Sequence, residues 1–331
     1  MDHVTSGEYQ KYFENIKIDN DKCHMGTMDL DKFINVENID VVKKYIETFA
    51  DFYVDVIYKH HYDVVSTQRE ADARIIFQMF FSKALHFKHM LEGVEYKGDQ
   101  FKMNSIVDPT LLFTLVRNQY ECLCLFELIN VIPDSDDKKS FLSLMHQISG
   151  LKYRQRFVEQ AILQANIEKL RFENIEINQD VNLILSSSVF HKLNQKSQDK
   201  VRKWIKDKEY QLFFKSDEEI QKLGWKDFAN KFGMKKDCVD NLYTYFCMNA
   251  HPSYPSIMQF RDAFAKDNPE FLNLALFASH TFLIFLSVFL VDYMRMFPAI
   301  VNDFKKLDED KRMLLTAFND IFREEKWNAK F

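Results

Sequence analysis

Apolar side chains return every three or four residues along most of this chain. The pattern is clearest in Val41 to His60, Ala71 to Leu91, Pro109 to Asn130, Ser140 to Phe172, Cys238 to Ala250, Phe271 to Met296 and Lys311 to Trp327. That is the helical period. Asp108 before Pro109 makes a cap followed by proline at the first helical position, while Pro133 with Asp134 to Asp137 stops that helix and caps the next. No run alternates with period two between turn residues for long enough to predict a strand. The pattern weakens over Asn174 to Lys200, where Asn, Gln and Ser are frequent, so a seam or loop is expected there. The expected fold is all-α, a multi-helix bundle of about ten helices with one very apolar central helix. Residues 1–105 are expected to form an N-terminal helical layer. Residues 106–331 are expected to form the bundle that carries the chemistry, the two packed as one unit.

The central helix is read at Leu272 to Val291, a stretch long enough to cross a bilayer. Asn273, Ser279, His280, Thr281 and Ser287 interrupt it, and each would need a partner in hydrocarbon that a surrounding bundle can supply. A buried core helix is therefore expected and a membrane location is not favoured. Composition supports helices too. The 331 residues include only 7 glycines and 6 prolines, too little punctuation for a fold that turns often. No two glycines come nearer than Gly93 and Gly98, which excludes the dinucleotide-binding glycine loop and the nucleophile elbow.

Net charge is −5, so indiscriminate binding to nucleic acid or anionic membrane is not expected of the whole molecule. Between Lys192 and Lys236, however, 13 basic residues face 7 acidic ones. The five cysteines (Cys23, Cys122, Cys124, Cys238, Cys247) are odd in number and form no C-x-x-C pair, so they read as free thiols of a cytoplasmic protein. The start at Met1, Asp2 and His3 has no secretory pattern.

Two constellations could carry chemistry. Arg117 and Glu121, one helical turn apart, share a face with Phe113, Tyr120, Cys124 and Leu128 on a helix expected to be buried nearly all round. A charge buried alone would cost several kcal/mol, so the two are expected to pair with each other or with further polar groups. Tyr243, Cys247 and His251 follow at intervals of four, with Ser253 beyond them. Pro252 forces His251 out of the helical region, so its imidazole is expected to cap the helix end, where the macrodipole favours the protonated form. The bland reading of these groups is a structural ion pair and a packing histidine.

The Arg-Asn-x-x-Glu of Arg117 to Glu121, the Trp225-x-x-x-Ala229-x-x-x-Gly233-Met234 segment and the Tyr-x-x-x-Cys-x-x-x-His-Pro-Ser of Tyr243 to Ser253 resemble motifs of a group of uncharacterised bacterial all-helical proteins. The likeness spans about Pro109 to Val291. Cys247 stands where that group more often has serine. The resemblance implies a helical fold and a polar cluster of Arg117, Glu121, Tyr243, Cys247, His251 and Ser253, with no established reaction. Such families are distantly similar to the HEPN superfamily (higher eukaryotes and prokaryotes nucleotide-binding), some of whose members cut RNA with an Arg-x(4 to 6)-His motif. This chain departs from that motif, since no arginine stands four to six residues before His251.

Three functional readings follow. The first is a cytoplasmic helical binding or regulatory protein, defence-related in the setting the resemblance suggests, that meets a protein or RNA partner through the cluster. The second is a metal-independent RNase in which Arg117 and His251 meet from different helices. The third is a helix-turn-helix DNA regulator, because Phe228, Ala229, Phe232, Gly233, Met234, Val239 and Leu242 match that spacing and Lys226, Lys231, Lys235 and Lys236 could meet phosphates. Homo-oligomerisation is compatible with each. No cofactor is expected. His86, His89 and Glu92, with His60 and His61, have zinc-like spacing but read as a surface histidine cluster, so no metal is expected.

Overall fold

A computed structural model describes residues 31–236, 241–263 and 269–331. In chain order it has α1 (Asp31–Ile34), α2 (Ile39–His60), α3 (Gln68–Met90), β1 (Val94–Lys97), β2 (Lys102–Ile106), α4 (Pro109–Asn130), α5 (Asp136–Arg154), α6 (Gln164–Ser186), α7 (Ser188–Lys192) and α8 (Gln195–Asp207). There follow β3 (Leu212–Phe214), β4 (Ile220–Lys222), α9 (Phe228–Lys231), α10 (Leu242–Ala250), α11 (Tyr254–Ala263), α12 (Pro269–Met296), α13 (Ala299–Phe304) and α14 (Glu309–Phe322). The all-α bundle with one very apolar helix is what the periodicity predicts.

The helices begin where the sequence supplies oxygen caps. Asn38, Thr67, Ser135, Asn194 and Asp308 each accept a backbone N–H of the first turn of α2, α3, α5, α8 and α14. Asp108 accepts from the Thr110 N–H at 2.8 Å at the start of α4.

The chain divides into two compact units, Met1–Leu123 with Ala229–Phe331, and Cys124–Phe228. Residue 105 lies inside the first, and the stretch 174–200 inside the second.

In the first unit α12 is the central element, packed by α2, α11 and α14. From Thr281 to Met294 every residue is buried, because aromatic rings from α2, α3 and α4 close over it. Phe80 stacks on Phe289 at 3.6 Å between centroids, Phe87 on Phe282 at 4.2 Å, and Tyr120 meets Phe285 at 5.4 Å. Its three hydroxyl interruptions find partners, as a core helix requires. Ser279 and Thr281 donate to the carbonyls of Ala275 and Phe277 in their own helix, and Ser287 donates to the Leu315 carbonyl of α14 while accepting the Asn319 N–H. The stretch Phe271–Met296 is long and apolar enough to cross a membrane, but 89% of its most apolar window is buried against the protein.

The second unit corrects two expectations. The run Ser140 to Phe172 is not one helix: α5 ends at Arg154, a 3-10 turn covers Gln155–Phe157, and α6 begins at Gln164 and packs back on α5. Arg154 pairs with Glu173, and Gln155 donates to the Leu170 carbonyl, so polar contacts fasten the fold-back that apolar spacing alone does not reveal. The polar stretch 174–200 is helical, not a loop. Its Asn, Gln and Glu side chains form the solvent side of α6 while Leu170, Ile177 and Ile184 face inward.

Two antiparallel hairpins, β1–β2 and β3–β4, were not expected. Their strands run three to five residues, and β1 is exposed on every residue, so no inward and outward alternation marks it.

Candidate functional site

Two helices of the first unit, distant in sequence, assemble the cluster. Phe113 of α4 packs on Tyr245 at 5.1 Å and on Phe246 at 6.0 Å, and both of those rings meet Phe277 of α12. This apolar face of α10 fixes its rotation. The opposite face, with Tyr243 and Cys247, and then His251, therefore comes to the line of α4 that carries Arg117 and Glu121.

Arg117 is the hub. Its Nε donates to Glu121 Oε1 at 2.9 Å, Nη2 to the Tyr243 hydroxyl at 3.4 Å, and Nη1 to His251 Nε2 at 3.2 Å. The Tyr243 hydroxyl donates to Glu121 Oε1 at 3.1 Å, and the guanidinium lies 5.5 Å from the centre of the Tyr243 ring. A guanidinium has no acceptor, so His251 Nε2 accepts in this arrangement and carries no proton. Burial by itself would lower the proton affinity of Arg117, but the hydrogen bond and charge of Glu121 outweigh it and raise the guanidinium further. Burial, a hydrogen bond shared with Cys247 and the Glu121 charge raise the Tyr243 phenol well above its usual range.

Two features differ from the sequence reading. The cluster is half-buried at the surface, with 24% of the Arg117 side chain and 26% of the Glu121 side chain exposed, and His251 is exposed. One side of α4 faces water at Leu111, Thr114 and Asn118, and charges held at that margin keep part of their hydration. Second, the His251 imidazole meets Arg117, as the cluster reading expects, where the capping reading has it turned to the end of α10. The residue does end α10 in extended backbone, at φ −111° and ψ 151°, as Pro252 requires.

Ser253 stands apart from the cluster. Its hydroxyl donates to the Met248 carbonyl at 2.7 Å and accepts the Ser256 N–H at 3.3 Å, joining the end of α10 to the start of α11. Of the lysines, Lys226, Lys231 and Lys236 are exposed, whereas Lys235 donates to the Ile321 carbonyl at 2.6 Å. In the segment with helix-turn-helix spacing the described residues include a helical turn at α9, after which Met234 pairs with Arg323; Asp237 to Asp240, with Cys238 and Val239, fall outside the described residues, as does Cys23. Cys122, Cys124 and Cys247 are free thiols. His86 Nδ1 meets the Ser82 carbonyl, His89 pairs with Glu92, and His60 lies between Asp63 and Asp303. Among the described residues no group of three or more His, Cys, Asp or Glu is placed to hold a metal ion.

Sequence reasoning missed a buried network in the same unit. Arg323 is fully buried; it donates to the Phe232 carbonyl at 2.8 Å and to Asp292 at 2.6 Å, and lies over the Trp327 ring at 4.2 Å. Gly233 has φ +82°, and a Cβ there would stand 2.1 Å from Trp327 Nε1. The one signal in the sequence was the Ala229-x-x-x-Gly233-Met234 motif, which spacing assigned to a turn and packing explains by the indole.

Comparison with known proteins finds no matching family model, no matching curated protein and no matching solved structure.

Proposed function

We propose that this is a helical binding or regulatory protein of the cytoplasm, and that its recognition surface is centred on Arg117, Glu121, Tyr243 and His251. The observation that carries the reading is the occupancy of Arg117: its three nitrogens each meet a side chain of the same chain. A cation compensated in this way is a scaffold more than a bare anion trap, and it holds the exposed imidazole and half-exposed Tyr243 in one orientation for a partner. The free thiols and the burial of α12 support the cytoplasmic setting. A biological role in defence rests on the resemblance alone.

A second reading, a metal-independent RNase, is favoured by one distance, the 3.2 Å between Arg117 and His251. In it the Nε2 of His251, unprotonated, would accept the proton of a ribose 2′-hydroxyl, and Arg117 would turn from the imidazole to the phosphate. The counter-charge of Glu121 weakens that step. No observation favours the DNA-regulator reading over these.

The test compares the wild type with His251→Ala and Arg117→Lys in two assays, affinity capture of partners from cells and cleavage of labelled RNA by purified protein. Loss of a specific partner in both variants, with no RNA cleavage by the wild type, supports the binding reading. Cleavage abolished by His251→Ala supports the RNase. If the wild type cleaves nothing and capture is unchanged in the variants, the cluster is structural.

A further inference from the structure

The hairpin β1–β2 carries large apolar side chains with little to cover them. Val94, Tyr96 and Phe101 expose 73%, 54% and 59% of their surface. A two-stranded sheet on its own is marginal in water, and an open edge is a template for another strand.

The ladder shows which atoms that edge offers. Across the turn the Gly98 N–H donates to the Phe101 carbonyl at 2.9 Å. The register shifts between Val94 and Tyr96, which pair with Ile106 and Met103, so the extra residue of this bulge lies on β2 and β1 keeps its own alternation: Tyr96 and Val94 turn their backbone groups toward β2, while Glu95 and Lys97 turn theirs outward. Among the described residues neither of these two makes a backbone hydrogen bond to another element.

We infer that β1 is a self-association strand, to which a second copy of this chain adds its own β1 antiparallel, about a two-fold axis through Tyr96. In that register Glu95 lies opposite Lys97 of the second copy, and Lys97 opposite the second copy's Glu95. Both are hydrogen-bonded pairs, so the outward N–H and C=O groups of Glu95 and Lys97 are all satisfied and a four-stranded sheet results. A charged edge ordinarily blocks strand pairing. Here Glu95-Tyr96-Lys97 complements itself when reversed, so the same charges that reject an unrelated strand select a second copy. The pair Lys102–Glu95, 3.7 Å apart and more than half exposed, places a further cation beside the carboxylate without competing strongly for it. On the other face Tyr96 meets its counterpart at a non-hydrogen-bonded position, where side chains come closest, and Phe101, 5.6 Å from Tyr96, extends the apolar patch. The outer strand β2 has Lys102 as its only charge and no acid to match it.

The test is sedimentation velocity on the full chain over a range of concentrations. The wild type is expected to show a reversible monomer–dimer equilibrium. Glu95→Lys or Lys97→Glu alone sets like charges opposite at both pairs and raises the dissociation constant about tenfold or more. Mixing the two variants restores wild-type association, because position 95 of each then meets its opposite charge at position 97 of the other. Lys97→Pro removes an outward donor without touching the pairing to β2 and abolishes the dimer. Circular dichroism of each variant should match the wild type. The inference is overturned if the wild type stays monomeric, if the variants shift the equilibrium less than threefold, if the mixture associates no better than its components, or if β1 captures a strand of a different protein while the chain itself stays monomeric.

Discussion

Gly233→Ala separates two explanations of one glycine. If Gly233 only turns the chain, alanine pays the left-handed backbone penalty, about 1 kcal/mol, and little else. The structure demands more. A methyl group at this position would stand 2.1 Å from Trp327 Nε1, 2.2 Å from Cδ1 and 2.8 Å from Cε2. The indole cannot yield easily, because it covers Arg323, whose guanidinium is fully buried and tied to Phe232 and Asp292. Overpacking adds about 1–3 kcal/mol, and a weakened cation–π stack about 0.5–2 kcal/mol. The expected loss is about 3–5 kcal/mol, a large part of the roughly 5–15 kcal/mol by which domains are stable. Urea unfolding followed by far-ultraviolet circular dichroism measures it, since the substitution disturbs a tryptophan and makes fluorescence ambiguous. In a Trp327→Ala background the steric part disappears, and Gly233→Ala should cost only about 1 kcal/mol. A loss below about 1.5 kcal/mol in the wild-type background, or equal losses in both, would refute the packing account.

Further expectations concern the core and the cluster. Asp292→Ala leaves Arg323 buried without its carboxylate and should cost about 3–5 kcal/mol in the same unfolding assay, whereas replacing both by Leu and Met should cost much less. Burial lowers the His280 imidazole from 6.5 to about 4, while a hydrogen bond to the Val36 backbone opposes the shift. The unfolded chain therefore binds this proton first as pH falls. Stability contributed by the neutral form is complete above pH 6.5 and is lost progressively toward about pH 4, so the melting temperature of His280→Asn should fall less over that window than that of the wild type. Arg117→Ala should change the melting temperature little, because a partly exposed helical ion pair contributes less than about 1 kcal/mol, yet it should abolish partner capture. Equal loss of stability and capture would make Arg117 a structural residue.

The architecture was legible because its cause is local. Apolar residues at helical spacing, the caps at Asp108 and within Asp134 to Asp137, and scarce glycine act over a few residues, and α2, α3, α4 and α12 emerge close to their expected bounds. The same logic paired Arg117 with Glu121, which are neighbours on one helix. It failed at β1–β2, where an uncovered hairpin has no inward face to imprint a period on the sequence, and at Gln155–Phe157, where the fold-back depends on Arg154 reaching Glu173.

What the sequence by itself determined is thus the helical class, the core identity of α12 and the residue types of the cluster. Only the tertiary structure decided that His251 turns to Arg117, that the cluster stands at the surface, and that Gly233 makes room for Trp327. The physical reason is range: helix period and capping are set by neighbours along the chain. The orientation of a side chain across 134 positions depends on how Phe113, Tyr245 and Phe246 pack between their helices, and no local spacing encodes that.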